Sequence, residues 1–201
     1  MEYVYHAVPK NLTGNRLIPL NDLKDTHPEI FKAAIAKYDD HPKRKLLPTI
    51  TIPILNCLWN DVVMLSPVHP HLIYQGWREV GKSIDRSLHF YKIPITKLKS
   101  IPTVIYHYDP DEETGMPINE KNIEILHTEK YKELKELSEE TLDWYRKLHQ
   151  EGKFGAHFHT LPHVMAKGEI DVSDVDIIDW KEPMRVAESV RIRGLKHVVI
   201  T

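Results

Sequence analysis

Histidine is the side chain that moves protons near neutral pH, and it is also the commonest metal ligand. Thirteen histidines occur in this chain of 201 residues. Three groupings stand out. His6 follows Tyr5 near the start. His69 and His71 flank Pro70 in the stretch Ser66-Pro67-Val68-His69-Pro70-His71. His157, His159 and His163 fall together in Gly155-Ala156-His157-Phe158-His159-Thr160-Leu161-Pro162-His163. On a strand, His157 and His159 would point to one face, where both could ligate a metal. Asp61, Glu169 or His163 would then complete the site. The His-x-His spacing matches no zinc signature, and the same residues also read as surface polar groups or hydrogen-bonded core histidines. A His6/His163 pair in one cleft would suit acid–base work on a phosphate ester, with Lys10, Arg16 or Arg78 offsetting the phosphate charge.

Other residue groups are weaker candidates. Tyr106-His107-Tyr108 has the aromatic content to stack a base, but also reads as a half-buried strand face. Trp59-Asn60-Asp61 reads as an Asx-type turn or as part of a site. Asp109-Pro110-Asp111-Glu112-Glu113 reads as a solvated loop. The single cysteine, Cys57, lies in an apolar run and reads as a small buried hydrophobe rather than a nucleophile. No disulfide framework can form within one chain, which suits a reducing, cytoplasmic compartment. The nucleotide-phosphate loops G-x-G-x-x-G and G-x-x-x-x-G-K-[ST] are absent.

The elements that must position these residues follow from periodicity and punctuation. Residues 3–8 are β-branched and aromatic and predict a strand that Pro9 ends. Ile30, Phe31, Ala34, Ile35 and Tyr38 follow the three-four spacing of a helix over 28–38, with Pro28 in its first turn. Pro48 and Pro53 exclude a continuous helix over 46–59. Strands are expected at 61–65, 88–95, 103–108, 158–166, 175–180 and 197–200. A short helix is expected over 72–80, stopped by Gly81, with 66–71 a rigid loop. The stretch 128–150 has the clearest helical pattern, and Ser138 reads as an N-cap where that helix could restart.

Hydrophobic residues make up 41% and charged residues 28%, which is globular composition and argues against disorder. The net charge of -2 lacks the basic excess usual in a nucleic-acid binder. The start shows no basic region followed by an apolar one, and no apolar run reaches the roughly 18–20 residues of a membrane span. A single soluble domain over 1–201 is the expectation. Interleaved strands and helices, with prolines punctuating the strands, predict an α+β fold with a mixed, bent sheet and flanking helices.

The order of parts adds a resemblance. The first strand bears Tyr5-His6. A helix follows, then a strand ending in Ser66-Pro67, a short helix, the strand Phe90-Tyr91-Lys92-Ile93, and the late segment from Pro162-His163 through Lys167-Gly168-Glu169-Ile170 to Ile178. Over residues 3–95 and 158–180 this layout resembles the ADP-ribosyltransferase fold, and loosely its DarT-type, DNA-targeting group. The resemblance implies NAD as cofactor and a nucleic acid or protein as acceptor. It implies that His6 holds the nicotinamide ribose, and that Ser66, Tyr74 or Tyr91 serves the nicotinamide. It places His163 where the family tends to have a glutamate, with Glu169 just after Gly168 as the other candidate. A carboxylate there would stabilise positive charge developing on the ribose. Neutral imidazole could only hydrogen-bond a hydroxyl. Two rival functions come from the residues alone: a histidine- or metal-dependent hydrolase, and a non-catalytic binding or inhibitor protein.

Overall fold

The computed structural model describes residues 1–10, 14–40, 42–111 and 114–184. In chain order the regular elements are β1 (Tyr3–Ala7), β2 (Arg16–Leu17), α1 (Leu23–Thr26), α2 (Pro28–Ile35), β3 (Thr51–Ile52), β4 (Cys57–Leu58), β5 (Val63–Leu65), α3 (Pro70–Glu79), β6 (His89–Pro94), β7 (Thr103–Tyr106), β8 (Ile123–Ile125), α4 (Glu139–Gln150), β9 (His163–Ala166), β10 (Ile170–Asp171) and β11 (Asp176–Asp179). Short 3-10 turns, including Arg44–Thr49 and Trp59–Asp61, fill the connections. This mixture of helix and sheet is the α+β class that the interleaved pattern predicts.

Two antiparallel sheets form the frame. One has the order β1-β6-β11 and the other β5-β9-β7-β8. They meet at a single bridge between Tyr5 and Ser66. There the Tyr5 N–H donates to the Ser66 carbonyl at 2.9 Å, and the Ser66 N–H donates back at 2.8 Å. The Ser66 hydroxyl lies 3.1 Å from the Val68 N–H, which donates to it. Ser66 therefore shapes the exit from β5, and it is buried.

Side chains alternate across these strands, and the alternation sorts the core. On one face Val4, Leu65, Tyr91, Ile93, Val164 and Ala166 pack together. On the other face Tyr5 and Phe90 pack with Trp77 of α3, Tyr145 of α4 and Trp180. Further along that face Ile52, Cys57, Val104 and Met165 form a third cluster beneath the β3–β4 hairpin. Cys57 is buried, as its apolar setting predicts, and burial pushes its thiol pKa up.

One helix cap is legible in the sequence, and one is not. Ser138 starts α4, and its hydroxyl accepts the Thr141 N–H at 3.2 Å. Helix α3 starts earlier than expected, at Pro70, because the His69 ring is its N-cap. His69 Nδ1 accepts the His71 N–H at 3.1 Å. His69 is buried edge-on to Tyr5, with ring centroids 5.1 Å apart.

Several expectations need correction. The helix expected over 128–150 occupies only its second half. Residues 131–134 instead cross β1. The Glu133 carboxylate accepts the Tyr5 hydroxyl at 2.9 Å and the Tyr3 N–H at 2.8 Å, and Leu134 bridges Val68 in parallel. Backbone and carboxylate partners on β1 outweigh helix propensity there. The strand expected over 158–166 begins only at His163, because Gly155 (φ 153°) and Ala156 (φ 48°) turn the chain. The expected strand at 197–200 lies outside the described residues. The short pairs β2–β10 and β3–β4, and the edge strand β8, carry no strand pattern long enough to read beforehand.

Two predictions follow from this frame. Tyr5→Phe removes a donor from a buried carboxylate and should cost about 1–3 kcal/mol, measured by urea unfolding at pH 7, while Glu133→Gln should cost less. The second concerns His69, whose pKa burial lowers to about 4, helped by His71 and nearby lysines. The unfolded chain takes up this proton near pH 6.5 and the folded chain does not, so stability is full above pH 6.5 and declines as pH falls towards 4. His69→Asn keeps an acceptor at the cap and should flatten that decline in unfolding curves taken between pH 7 and 4.5.

Candidate functional site

A large cavity opens on the face of β7 and β9 that carries Tyr106 and His163. Its volume is about 890 Å³, within the size range of small-molecule clefts. Several elements build it besides β9. The 3-10 turn Trp59–Asp61 supplies Trp59, and the end of β7 supplies Tyr106 and, just beyond it, Tyr108. Helix α4 supplies Trp144. The turn after α4, where a strand is expected from residue 158, brings in His157 and His159. Asp40, Lys43, Arg44 and Lys153 complete the charged part of the wall.

The histidines and aromatic rings interlock. His163 sits opposite Tyr106 in the β7–β9 register, with ring centroids 6.3 Å apart, and 6.5 Å from Trp59. Its Nδ1–H donates to the Leu161 carbonyl at 2.7 Å, which leaves Nε2 as the acceptor of a neutral ring. His159 packs at 4.4 Å from Trp144 and 5.5 Å from Tyr108. His157 is ringed by Trp77, Phe154, Phe158 and Trp180. The Tyr145 hydroxyl holds its carbonyl at 2.5 Å, and its Nδ1 has no hydrogen-bond partner among the described residues.

All three rings are poised neutral. Burial lowers the His157 pKa to about 4, with Arg86 adding to it. Burial also lowers His159, with Lys147 contributing. For His163 burial outweighs the two backbone hydrogen bonds that oppose it. The lining carries Lys43, Arg44 and Lys153 with Asp40, and Glu151 adds a second carboxylate beside Lys153. Arg44 pairs with Asp40 and lies over the Tyr38 ring, and Lys153 pairs with the exposed Glu151 at 2.7 Å. A cleft with aromatic walls, neutral imidazoles and a cationic rim is suited to a planar ring carrying an anionic group.

A second, smaller cavity of about 230 Å³ lies on the far side of Trp59, against β1, β2 and β5. His6, Arg16 and Asn60 line it together with apolar side chains such as Leu17, Ile30 and Met64.

The sequence-nominated residues are thus distributed rather than gathered. His6 pairs with Tyr91 across β1 and β6 and shares the Val4/Leu65 face. His163 shares the opposite face with Tyr106 and Met165. The expectation of His6 and His163 in one cleft is not met: the register that Tyr5–Ser66 imposes places the sheet between them. Tyr91 is buried in the core behind His6. Tyr74, on α3, packs against Trp180 and His71 at 5.6 Å and 5.9 Å. Ser66 is committed to backbone, and Glu169 is an exposed partner of Arg16 at 3.1 Å. His157 and His159 lie in a turn, so strand alternation does not align them. No group of three or more His, Cys, Asp or Glu side chains is arranged to hold a metal among the described residues. Trp59 lies in the Trp59-Asn60-Asp61 stretch that reads as a turn or as part of a site, whereas sequence reasoning missed Asp40, Lys43, Arg44 and Trp144 as cleft walls. Their side chains carried no spacing signal linking them.

No protein-family profile matches the chain, and no solved structure matches it. Among curated proteins, lipoyl synthases of Geobacillus thermodenitrificans (strain NG80-2) and Geobacillus kaustophilus (strain HTA426) are each 75% identical over 24 residues. That segment is 12% of this chain, and the chain spans only 8% of the length of either relative. So short a match shows neither a family nor an activity. No helix among the described residues is long and apolar enough to cross a membrane.

The ring environment of His157 gives a direct check. In a two-dimensional NMR titration of the imidazole nitrogens, His157 should remain neutral at pH 6 and titrate near 4. A His157 that titrates near 6.5 would mean that its aromatic enclosure opens in solution.

Proposed function

We propose that the His163 cleft binds a nucleotide, and that NAD is the ligand to test first. The observation that carries this reading is the joint presence of Trp59, Tyr106, Tyr108 and Trp144 with Lys43, Arg44 and Lys153 around one cavity. An adenine or nicotinamide ring would stack on the aromatic side chains, and the pyrophosphate would take the cationic rim. Neutral His159 and His163 would hydrogen-bond ribose or phosphate oxygens. The catalytic form of this reading is ADP-ribosyl transfer from NAD to a nucleic acid or protein, on an ADP-ribosyltransferase-like fold, as the order of parts implies. In this arrangement His163 is the late-strand group beside the ligand. The ribose role that the resemblance gives to His6 does not belong to this cleft, since His6 lies on the opposite face.

Calorimetric titration with NAD, AMP and a non-nucleotide phosphate should rank NAD and AMP well above the phosphate. Trp144→Ala should weaken NAD binding roughly tenfold by removing one stacking wall, since base–aromatic stacking is worth about 1–3 kcal/mol. A phosphate that contacts His159 or His163 raises that ring's pKa. Binding should then take up protons and tighten as pH falls from 7 towards 5.5, with the slope reduced in His163→Gln. In the catalytic form, His163→Ala should lower NAD turnover with acceptors supplied more than it lowers NAD affinity. Absence of saturable binding by either nucleotide would refute the reading.

A further inference from the structure

The segment from Leu20 to Asp40 is attached to the fold differently from the sheets and from α3 and α4. It comprises α1, α2 and the 3-10 turns Leu20–Asp22 and Ala36–Asp40, and no residue in it is buried. Helix α2 still carries an apolar stripe. Ile30, Phe31, Ala34 and Ile35 follow the three-four spacing and are half-buried. None of these side chains joins the three core clusters among the described residues. The smaller cavity gives the reason. Leu23, Ile30 and Tyr38 line it from the segment, and Leu17 and Val63 line it from the core. About 230 Å³ of space therefore lies between α2 and the core residues it would otherwise pack on.

Two side-chain hydrogen bonds tie the segment down, one near each end, and both run to the same turn. The Asn21 amide donates to Asp61 at 2.6 Å, and the Tyr38 hydroxyl donates to the Asn60 Oδ1 at 2.9 Å. That turn is itself fixed. Asp61 also accepts the Leu58 N–H at 2.7 Å, and the Trp59 N–H donates to the Ile50 carbonyl at 2.8 Å. The attachment is thus a pair of polar clamps on a rigid turn, with little apolar burial behind it. Segments with few buried apolar contacts open at a lower free energy than the core elements. Helices of four and eight residues, the lengths of α1 and α2, add little stability of their own. At the far end Asp40 lines the larger cleft and pairs with Arg44, so movement of the segment alters that cleft's wall as well.

We propose that Leu20–Asp40 is a lid over the smaller cavity, which opens as one unit by releasing the Trp59–Asp61 turn and so admits solutes to the Val63 wall. It does not depend on the nucleotide reading of the larger cleft. The test uses native-state hydrogen exchange and thiol labelling of the full chain. The amides of residues 31–40 should share one protection factor, at least about a hundredfold below that of β5 and β9. Val63 is only 4% exposed. Val63→Cys should react with a water-soluble maleimide at the lid's protection factor rather than that of β5, read by peptide mass apart from the buried Cys57. Leu17→Cys, on the same wall, serves if that variant fails to fold. Tyr38→Phe and Asn21→Ala should each speed both lid exchange and this labelling about fivefold, the equivalent of one net hydrogen bond. Tyr5→Phe, which weakens the junction of the sheets, should speed exchange in β5 and β9 and leave the lid's amides unchanged. Lid amides as protected as β9, equal acceleration of both by Tyr5→Phe, labelling at the rate of β5, or clamp variants without effect would each overturn the proposal.

Discussion

The fold depends on Tyr5. Its backbone forms the bridge to Ser66 that joins the two sheets, and its hydroxyl donates to the buried carboxylate of Glu133. A buried carboxylate is costly unless its oxygens are met. Here both are met, one by the Tyr5 hydroxyl and one by the Tyr3 N–H. Glu2 reinforces the same junction by accepting the Glu133 N–H at 2.9 Å, and the Tyr131 hydroxyl donates to the Tyr3 carbonyl at 2.9 Å. These contacts span about 130 residues of sequence. They hold the 131–134 segment across β1, so that the chain reaches α4 on the Tyr5 side of the sheet.

That junction has consequences for both cavities. Because Tyr5 pairs with Ser66, its neighbour His6 must take the Leu65 side, and the alternation continues through β5 to β9. His163 then emerges on the other side. One register thereby separates the chain's two candidate histidine centres and produces two cavities with Trp59 between them. The chemistry of each cavity follows from its elements. The larger lies where α4 and the following turn present aromatic and basic side chains to the sheet. The smaller lies against β1, β2 and β5, where most of the walls are apolar.

Four of the buried histidines share one physical condition. His69, His157, His159 and His163 are each depressed mainly by burial. Neutral imidazole is a directional donor and acceptor rather than a charge. At His69 that state is required by structure, because Nδ1 must accept the first-turn N–H of α3. In the cleft it makes the rings responsive to an incoming anion, whose charge would favour protonation.

Some of this was determined by the sequence alone. The strand at 3–7 follows from β-branched and aromatic residues ended by Pro9. The helix from Pro28 follows from its three-four spacing, and the Ser138 cap follows from a hydroxyl placed ahead of Glu139 and Glu140. The burial of Cys57 follows from its apolar neighbours. Such features rest on local energies, which short stretches of chain carry in full. Tertiary structure decided the rest. Residues 131–134 left the helical state because Glu133 found partners on β1, far away in sequence. His159 left the strand expected over 158–166, and His157 stands in the same turn before it, because the chain turns at Gly155 and Ala156. Whether His6 and His163 share a face depends on strand order and on one bridge between sheets. Trp59, Trp144 and Arg44 meet around one cavity for the same reason: their proximity is set by packing among distant elements, which no local pattern encodes.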